Sequence, residues 1–364
     1  MERLRSRDLR GSLLLFAAAV WLAASLAGAA LAAPFANPIV AAAPRTGSAD
    51  PSVIFHRGYY YYCRAVDDSA IGVARARRLQ DIGAAPLAIV FRPPAGTPYS
   101  RQLWAPELQR IRGRWVIYFA ASDGDNASHR MYALGGLDDD PQGRYEFKGR
   151  VADRDDAWAI DGAALEIGRS LYFVWSGWPG LRGDFPQLLY IAPMRDPWTI
   201  VGERHAIAAP EHDWERVVAP LLEAPQPLRR RGTTFIFYSA AANWSDDYAV
   251  GLLRYLGGDP LRAASWRKHP LPVFGKNAEA AAFSVGHPSF VPSPDGREDW
   301  IVYHATARSG AGWSARSVRA QPFDWCSDGR PRFGAAVPVG RLLDEPSGTA
   351  GAATAPRATI AAPC

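Results

Sequence analysis

The chain has little of what usually carries metal, redox or thiol chemistry. Three cysteines in 364 residues exclude a disulfide framework, though an oxidising compartment would allow one bridge. Cys63 closes an apolar aromatic run and reads as a buried thiol, Cys364 is the last residue, and no His and Asp arrangement near either makes a thiol nucleophile. Seven histidines show no zinc-like spacing. The formal net charge is only +5, and the first 32 residues supply two of those charges, through Arg3, Arg5, Arg7 and Arg10 set against Glu2 and Asp8. What remains is too small and scattered to argue for nucleic acid. The one compact basic run, Arg229-Arg230-Arg231, falls at an expected hairpin turn and reads as a solvated face. After Ala33 no stretch is long and apolar enough to span a bilayer.

At the N-terminus, the arginines precede an uncharged run from Gly11 to Ala33 that contains Ala30-Leu31-Ala32, a small-x-small cleavage pattern. This is the form of a secretory signal peptide over residues 1–32, with an uncleaved membrane anchor as the alternative. Secreted or periplasmic placement follows, with no membrane association unless that segment is retained. The stretch from Glu345 to Cys364 is rich in Ala, Pro, Gly and Thr without periodicity and reads as a disordered tail. Residues 33–344 are left as one domain, with residues 33–48 as a short arm that runs over it or helps close it.

Within that domain a pattern recurs. Segments opening at Asp50, Ala105, Asp161, Glu223 and His287 each read as a strand, a turn at Gly58, Gly113, Gly168, Gly232 or Gly296, and a second aromatic and β-branched strand. Their starts lie 55 to 64 residues apart. A β repeat of that size suits the blades of a propeller, which need about 40 to 50 residues each plus loops. The expected fold is therefore all-β, a five-bladed β-propeller. Most of the chain's 13 Trp, 14 Tyr and 15 Phe would fill the spaces between blades. In such a ring the heads of the innermost strands converge on the axis, so Asp50, Asp161 and Glu223 can meet in one pocket. Hydrolysis of a glycosidic bond needs one carboxyl group to protonate the leaving oxygen and another on the opposite side of the sugar, and a third can hold the acid's pKa up and orient it.

The runs Asn37-Pro38-Ile39, Ala49-Asp50-Pro51-Ser52, Leu103-Trp104-Ala105-Pro106-Glu107, Ile160-Asp161-Gly162, Leu222-Glu223-Ala224-Pro225 and Gly286-His287-Pro288-Ser289-Phe290 occur in that order. Together they resemble glycoside hydrolase family 43, over nearly all of the chain after the signal segment. The resemblance implies a five-bladed propeller acting on arabinose- and xylose-containing polysaccharides, with inversion at the anomeric centre. It makes Asp50 the base that activates water, Glu223 the general acid and Asp161 the pKa modulator. His129-Arg130-Met131-Tyr132, Leu189 to Met194, Glu298 to His304 and Arg319 to Trp325 look most like the exo-acting α-L-arabinofuranosidases. The departures are Ala224 where many relatives have Gly, and Pro288 where they have a small or polar residue; both put the shape of the pocket in doubt.

Three further residues are expected at the sugar. Trp104 offers a flat apolar face, or else packs between blades. His287 heads the fifth segment, where the resemblance implies either a substrate contact or a structural calcium ion, which prefers oxygen and would be reached through water. Arg316 fits the family's late arginine, with Arg319 as the competing choice, and Glu107 stands as a fourth carboxylate or a supporting partner. No cofactor is expected for the chemistry itself. β-Xylosidase or endo-arabinanase action on the same scaffold, and a carbohydrate-binding propeller without hydrolysis, are the alternatives.

Overall fold

A computed structural model describes residues 34–43, 48–180, 183 and 185–349. The expected signal segment lies outside the described residues. Five consecutive antiparallel sheets make the five blades, the innermost strands being Ser52–His56, Arg101–Ile111, Ala159–Ile167, Leu222–Arg230 and Phe283–Pro292. Each sheet has four strands except the third, in which His205–Ala208 adds a fifth. The first hairpin of every blade turns at the expected glycine, all five with positive φ. In three of them the preceding arginine, Arg57, Arg112 or Arg231, is left-handed as well, the double positive φ of a type I′ turn whose twist matches the flanking strands.

Because a blade is apolar on both faces, the core lies between blades rather than inside one layer. Five buried clusters occupy the five interfaces. Tyr61, Cys63 and Phe119 belong to the one between blades 1 and 2, Tyr118 and Phe173 to the next, Val174 and Ile236 to the third, Phe237 and Tyr303 to the fourth, and Tyr62 and Trp300 to the last. Cys63 is fully buried, and burial pushes its thiol well above the ordinary range.

Near the axis the interfaces are stitched by polar side chains that reach the next blade's backbone. Ser52 Oγ accepts from Leu108 N at 2.9 Å, Gln109 Oε1 from Ala164 N at 2.7 Å, Asp161 Oδ2 from Ala224 N at 3.0 Å, Ser239 Oγ from His287 N at 2.8 Å and Ser289 Oγ from Val53 N at 3.2 Å. These bonds satisfy buried amides that no strand pairs and fix the rotation of each blade against its neighbour.

The arm closes the seam between blades 5 and 1. Phe35–Ala36 pairs antiparallel with Leu342–Leu343, and Ile39 N donates to Val318 O at 2.9 Å. Between them the Asn37 amide makes a two-way bond with the Ala320 backbone, donating to its O and accepting from its N, both at 2.9 Å. The packed chain also runs past Glu345, where the tail was expected to begin. The buried Glu345 accepts from Gln80 and pairs with Arg78, and Ser347 bonds Asp295 and Glu298. Composition alone missed this, since Ser and Glu gain order here from partners 49 to 267 residues away.

The seam gives a test. Asn37→Ala leaves the buried N–H and C=O of Ala320 without partners, so a loss of about 2 kcal/mol is expected, read as a lower urea midpoint at unchanged slope.

Candidate active site

One backbone device brings the functional side chains together. The head residue of every innermost strand is left-handed: Asp50 (φ 50°), Ala105 (φ 42°), Asp161 (φ 55°), Ala224 (φ 52°) and His287 (φ 47°). In blades 2 to 5 this residue sits in a break of strand register, between Trp104 and Glu107, Ile160 and Ala163, Glu223 and Gln226, and Gly286 and Ser289. A bulge of this kind turns a side chain away from the pleat, here toward the axis. Non-glycine residues at positive φ cost energy and gather at functional sites.

The comparison corrects the alignment of the fourth segment. Its structural counterpart of Asp50, Asp161 and His287 is Ala224, and Glu223 stands one residue earlier, in the register position of Trp104, Ile160 and Gly286. Its carboxylate reaches the same pocket because its side chain is one methylene longer and enters from before the bulge.

Asp50 is held by blade 5. Its Oδ1 lies 3.3 Å from His287 Nδ1, 3.2 Å from His304 Nδ1 and 3.9 Å from Arg316 Nη1. Burial alone would raise its pKa; the charges of His287 and Arg316 outweigh that and leave the carboxyl well below its ordinary value. Asp50 N–H also donates to His304 Nδ1 at 3.1 Å, which needs the neutral ring. Burial and the neighbouring Arg316 charge do depress His304, to about 3.

His287 is the opposite case. Its ring is 2% exposed and lies between two carboxylates, with Nε2 3.0 Å from Glu107 Oε1 and Nδ1 facing Asp50. A neutral imidazole donates from one nitrogen only, so satisfying both acids requires the imidazolium. Burial opposes this, yet Asp50, Glu107 and Asp161 together push His287 up to about 10. Both ring nitrogens of His287 are committed to carboxylates, so neither is free to ligate a calcium ion directly. Among the described residues no three His, Cys, Asp or Glu side chains are disposed to hold a metal ion.

The remaining two carboxyls are buried and shifted up. Asp161 is raised well above its ordinary value by burial and by the charges of Glu223, Asp50 and Glu107, with His287 opposing. Glu223 is raised by burial, against hydrogen bonds from Asn243 and Tyr248 and the charges of His287 and Arg316. Both bonds fall on Oε1, from Tyr248 Oη at 2.7 Å and Asn243 Nδ2 at 2.9 Å, while Oε2 has no protein partner. Gly286 makes room for this: a Cβ there would lie 2.1 Å from Tyr248 Cε1.

Of the expected sugar contacts, Arg316 is buried beside Asp50 and donates to Asn243 O at 2.5 Å, whereas Arg319 donates to Ala281 O instead. Trp104 stands outside the hydrogen-bonded network. Its ring stacks on His129 with centroids 3.8 Å apart and packs against the core of blades 2 and 3. Sequence reasoning passed over His304, Tyr248 and Asn243. Gly286 pairs with His304 across blade 5, so the ladder register was the available signal for that histidine.

Comparison with known proteins shows the family. The family model for glycosyl hydrolases family 43 matches residues 35–331. The alpha-L-arabinofuranosidase 43 of Humicola insolens is 32% identical over 329 residues, covering 86% of this chain and 68% of that protein. The extracellular exo-alpha-(1->5)-L-arabinofuranosidase of Streptomyces chartreusis is 33% identical over 279 residues, 75% of this chain and 83% of its own length. Among solved structures, an alpha-L-arabinofuranosidase from Lactobacillus brevis superposes with a TM-score of 0.77 at 34% identity, covering 84% of this chain and 98% of that one.

The two histidines give the prediction of this geometry. Ring nitrogen NMR shifts between pH 6 and 8 should show His287 with both nitrogens protonated and His304 neutral; a neutral His287 at pH 6 would contradict the bridge.

Proposed function

The chain belongs to glycosyl hydrolase family 43 and is a glycosidase, and from that premise we propose that it releases L-arabinofuranose from arabinan or arabinoxylan fragments with inversion. The observation that carries the assignment of roles is the opposite tuning of two carboxyls in one buried cluster. Asp50 is driven down by blade 5 cations, and Glu223 is driven up by burial.

In this reading Asp50 is the base. Its ionised carboxylate takes one proton from a water whose oxygen attacks the anomeric carbon. Glu223 is the acid, and gives its proton to the glycosidic oxygen as the bond to the leaving sugar breaks. The free Oε2 is the atom for that transfer, since Oε1 is occupied by two donors. The products are arabinose with inverted configuration and a shortened glycan. The Asp50 proton passes to solvent and Glu223 recovers one.

Asp161 is the modulator. Its Oδ2 accepts the Ala224 N–H, and repulsion between its charge and that of Glu223 makes the pair hold a proton rather than two negative charges; in this reading the proton sits on Glu223. Arg316 and His287 keep Asp50 ionised, and with Trp104 are proposed to line the arabinose site. No step uses a metal ion. The Streptomyces relatives are named extracellular, which supports export of this chain through residues 1–32. β-Xylosidase or endo-arabinanase action remains the second outcome of the substrate test, as no single contact of the described residues favours it.

Glu223→Gln should lower release of arabinose from linear arabino-oligosaccharides by about 10²- to 10⁴-fold with little change in KM, followed by chromatography of products. Equal release by both proteins, or xylose in place of arabinose, sinks the reading. The pH dependence has a definite sign. Asp50, depressed, is ionised throughout the working range, so activity should fall as pH rises through the raised pKa of Glu223. A kcat/KM that climbs steadily into alkaline pH would contradict these roles.

A further inference from the structure

Three exposed aromatic residues stand together on the rim beside the proposed acid. Phe185 is 42% exposed, Trp244 41% and Trp313 55%. Their rings form a row, with Phe185 and Trp244 6.3 Å apart and Trp244 and Trp313 6.0 Å apart between centroids. All three come from equivalent connections. Each innermost strand starts at the site, so the antiparallel second strand ends there, and the loop leading to the third strand lies on that face. Phe185, Trp244 and Trp313 occupy this loop in blades 3, 4 and 5. The last two loops are tied together where Asp246 accepts from Ser309 and from Gly310 N.

Trp313 is also wired to the acid. Its indole Nε1–H donates to Asn243 Oδ1 at 2.8 Å, and the same amide donates from Nδ2 to Glu223 Oε1 at 2.9 Å. An amide has one oxygen and one NH₂. By occupying the oxygen, the indole fixes which end of Asn243 faces Glu223. The Asn243 backbone is held independently, its O accepting from Arg316 and Ser284.

We propose that the Phe185, Trp244 and Trp313 row is the platform for the sugar on the leaving side of the scissile bond, and that Trp313 is a positioning residue that orients Glu223 through Asn243. The occupant follows from continuity with the acid. The group that Glu223 protonates departs on the side where Asn243 and Trp313 stand, and flat apolar rings match the apolar face of a sugar. Occupancy of the platform steadies the indole, hence the amide, hence the carboxyl. This rests on the roles proposed above for Glu223.

The test compares a linear arabino-oligosaccharide, whose leaving sugar needs a proton and can use the platform, with 4-nitrophenyl α-L-arabinofuranoside, whose leaving group needs neither. Trp313→Phe keeps a ring on the surface and removes only the N–H. It should lower kcat on the oligosaccharide about tenfold more than on the aryl glycoside, the scale of one hydrogen bond to an ionisable group. The alkaline limb of the oligosaccharide profile should move to higher pH, because a freed amide no longer presents a donor to Glu223; the other charges facing that carboxyl, Arg316, His287 and Asp161, are unchanged. Trp244→Ala should raise KM for the oligosaccharide and not for the aryl glycoside. Equal losses on both substrates, or an unmoved alkaline limb, overturn this proposal alone. Wild-type protein that turns over neither substrate overturns the hydrolase roles with it.

Discussion

Four carboxyl groups, Asp50, Glu107, Asp161 and Glu223, are brought from four blades to one buried region, and the constraint on the whole centre is their mutual repulsion. Burial makes that repulsion expensive, because an unpaired ion away from water shifts its pKa and neutralises instead. The protein answers with two positive groups from blade 5. His287 bridges Asp50 and Glu107, and Arg316 stands next to Asp50. That is fewer cations than acids, so a proton stays in the cluster. Where it stays is set by local donors. Asp50 has the cations and loses its proton, whereas burial pushes both Asp161 and Glu223 up, and the partner-free Oε2 of Glu223 is the proposed place for the proton. The proposed acid and base are therefore distinguished by which carboxyls the two cations reach.

The same constraint explains the backbone. Five left-handed residues near the strand heads are costly one by one, yet four of them bond a neighbouring blade: Asp50 N donates to His304, Asp161 accepts from Ala224 N, and His287 N donates to Ser239. Asp161 does both jobs at once, since its Oδ2 holds the Ala224 N–H that the bulge of blade 4 leaves free. The proposed modulator is thus also part of the stitch between blades 3 and 4.

The period of the hairpins and the five turn glycines were legible in the sequence, because a hairpin is local and its turn needs a positive φ that glycine supplies. The carboxylates were legible as a set for the same reason, each lying at the head of a repeat. Their exact frame was not. Glu223 and Ala224 are adjacent, and only the strand register shows that Ala224 is the bulge residue. His304, Tyr248 and Asn243 lie on second strands or the loops after them, and enter the site through pairing across a blade. Asn243 was hidden further by Asn243-Trp244-Ser245, which reads as a glycosylation triplet. Trp104 could be read two ways, and its stack on His129 shows that at least one ring face is packed against protein.

The position of the site in the ring carries a further consequence. Asp50 heads blade 1, while His287, His304 and Arg316 belong to blade 5, so the proposed base is assembled across the seam where the two ends of the propeller meet. Just before it, Ser48 N donates to Arg316 O at 2.7 Å, and the strap beyond fastens Asn37 to Ala320 and Ile39 to Val318 on the same strand of blade 5 that follows Arg316. Every other interface joins blades that are continuous in the chain. Among the described residues this one is held by noncovalent contacts, and opening it would part Asp50 from all three of its partners at once. An Asp50 so released would regain an ordinary carboxyl pKa, and His287 would lose one of the two acids that keep it charged. Closure of the fold and ionisation of the base are in this sense one equilibrium, with the strap of residues 35–40 setting its position.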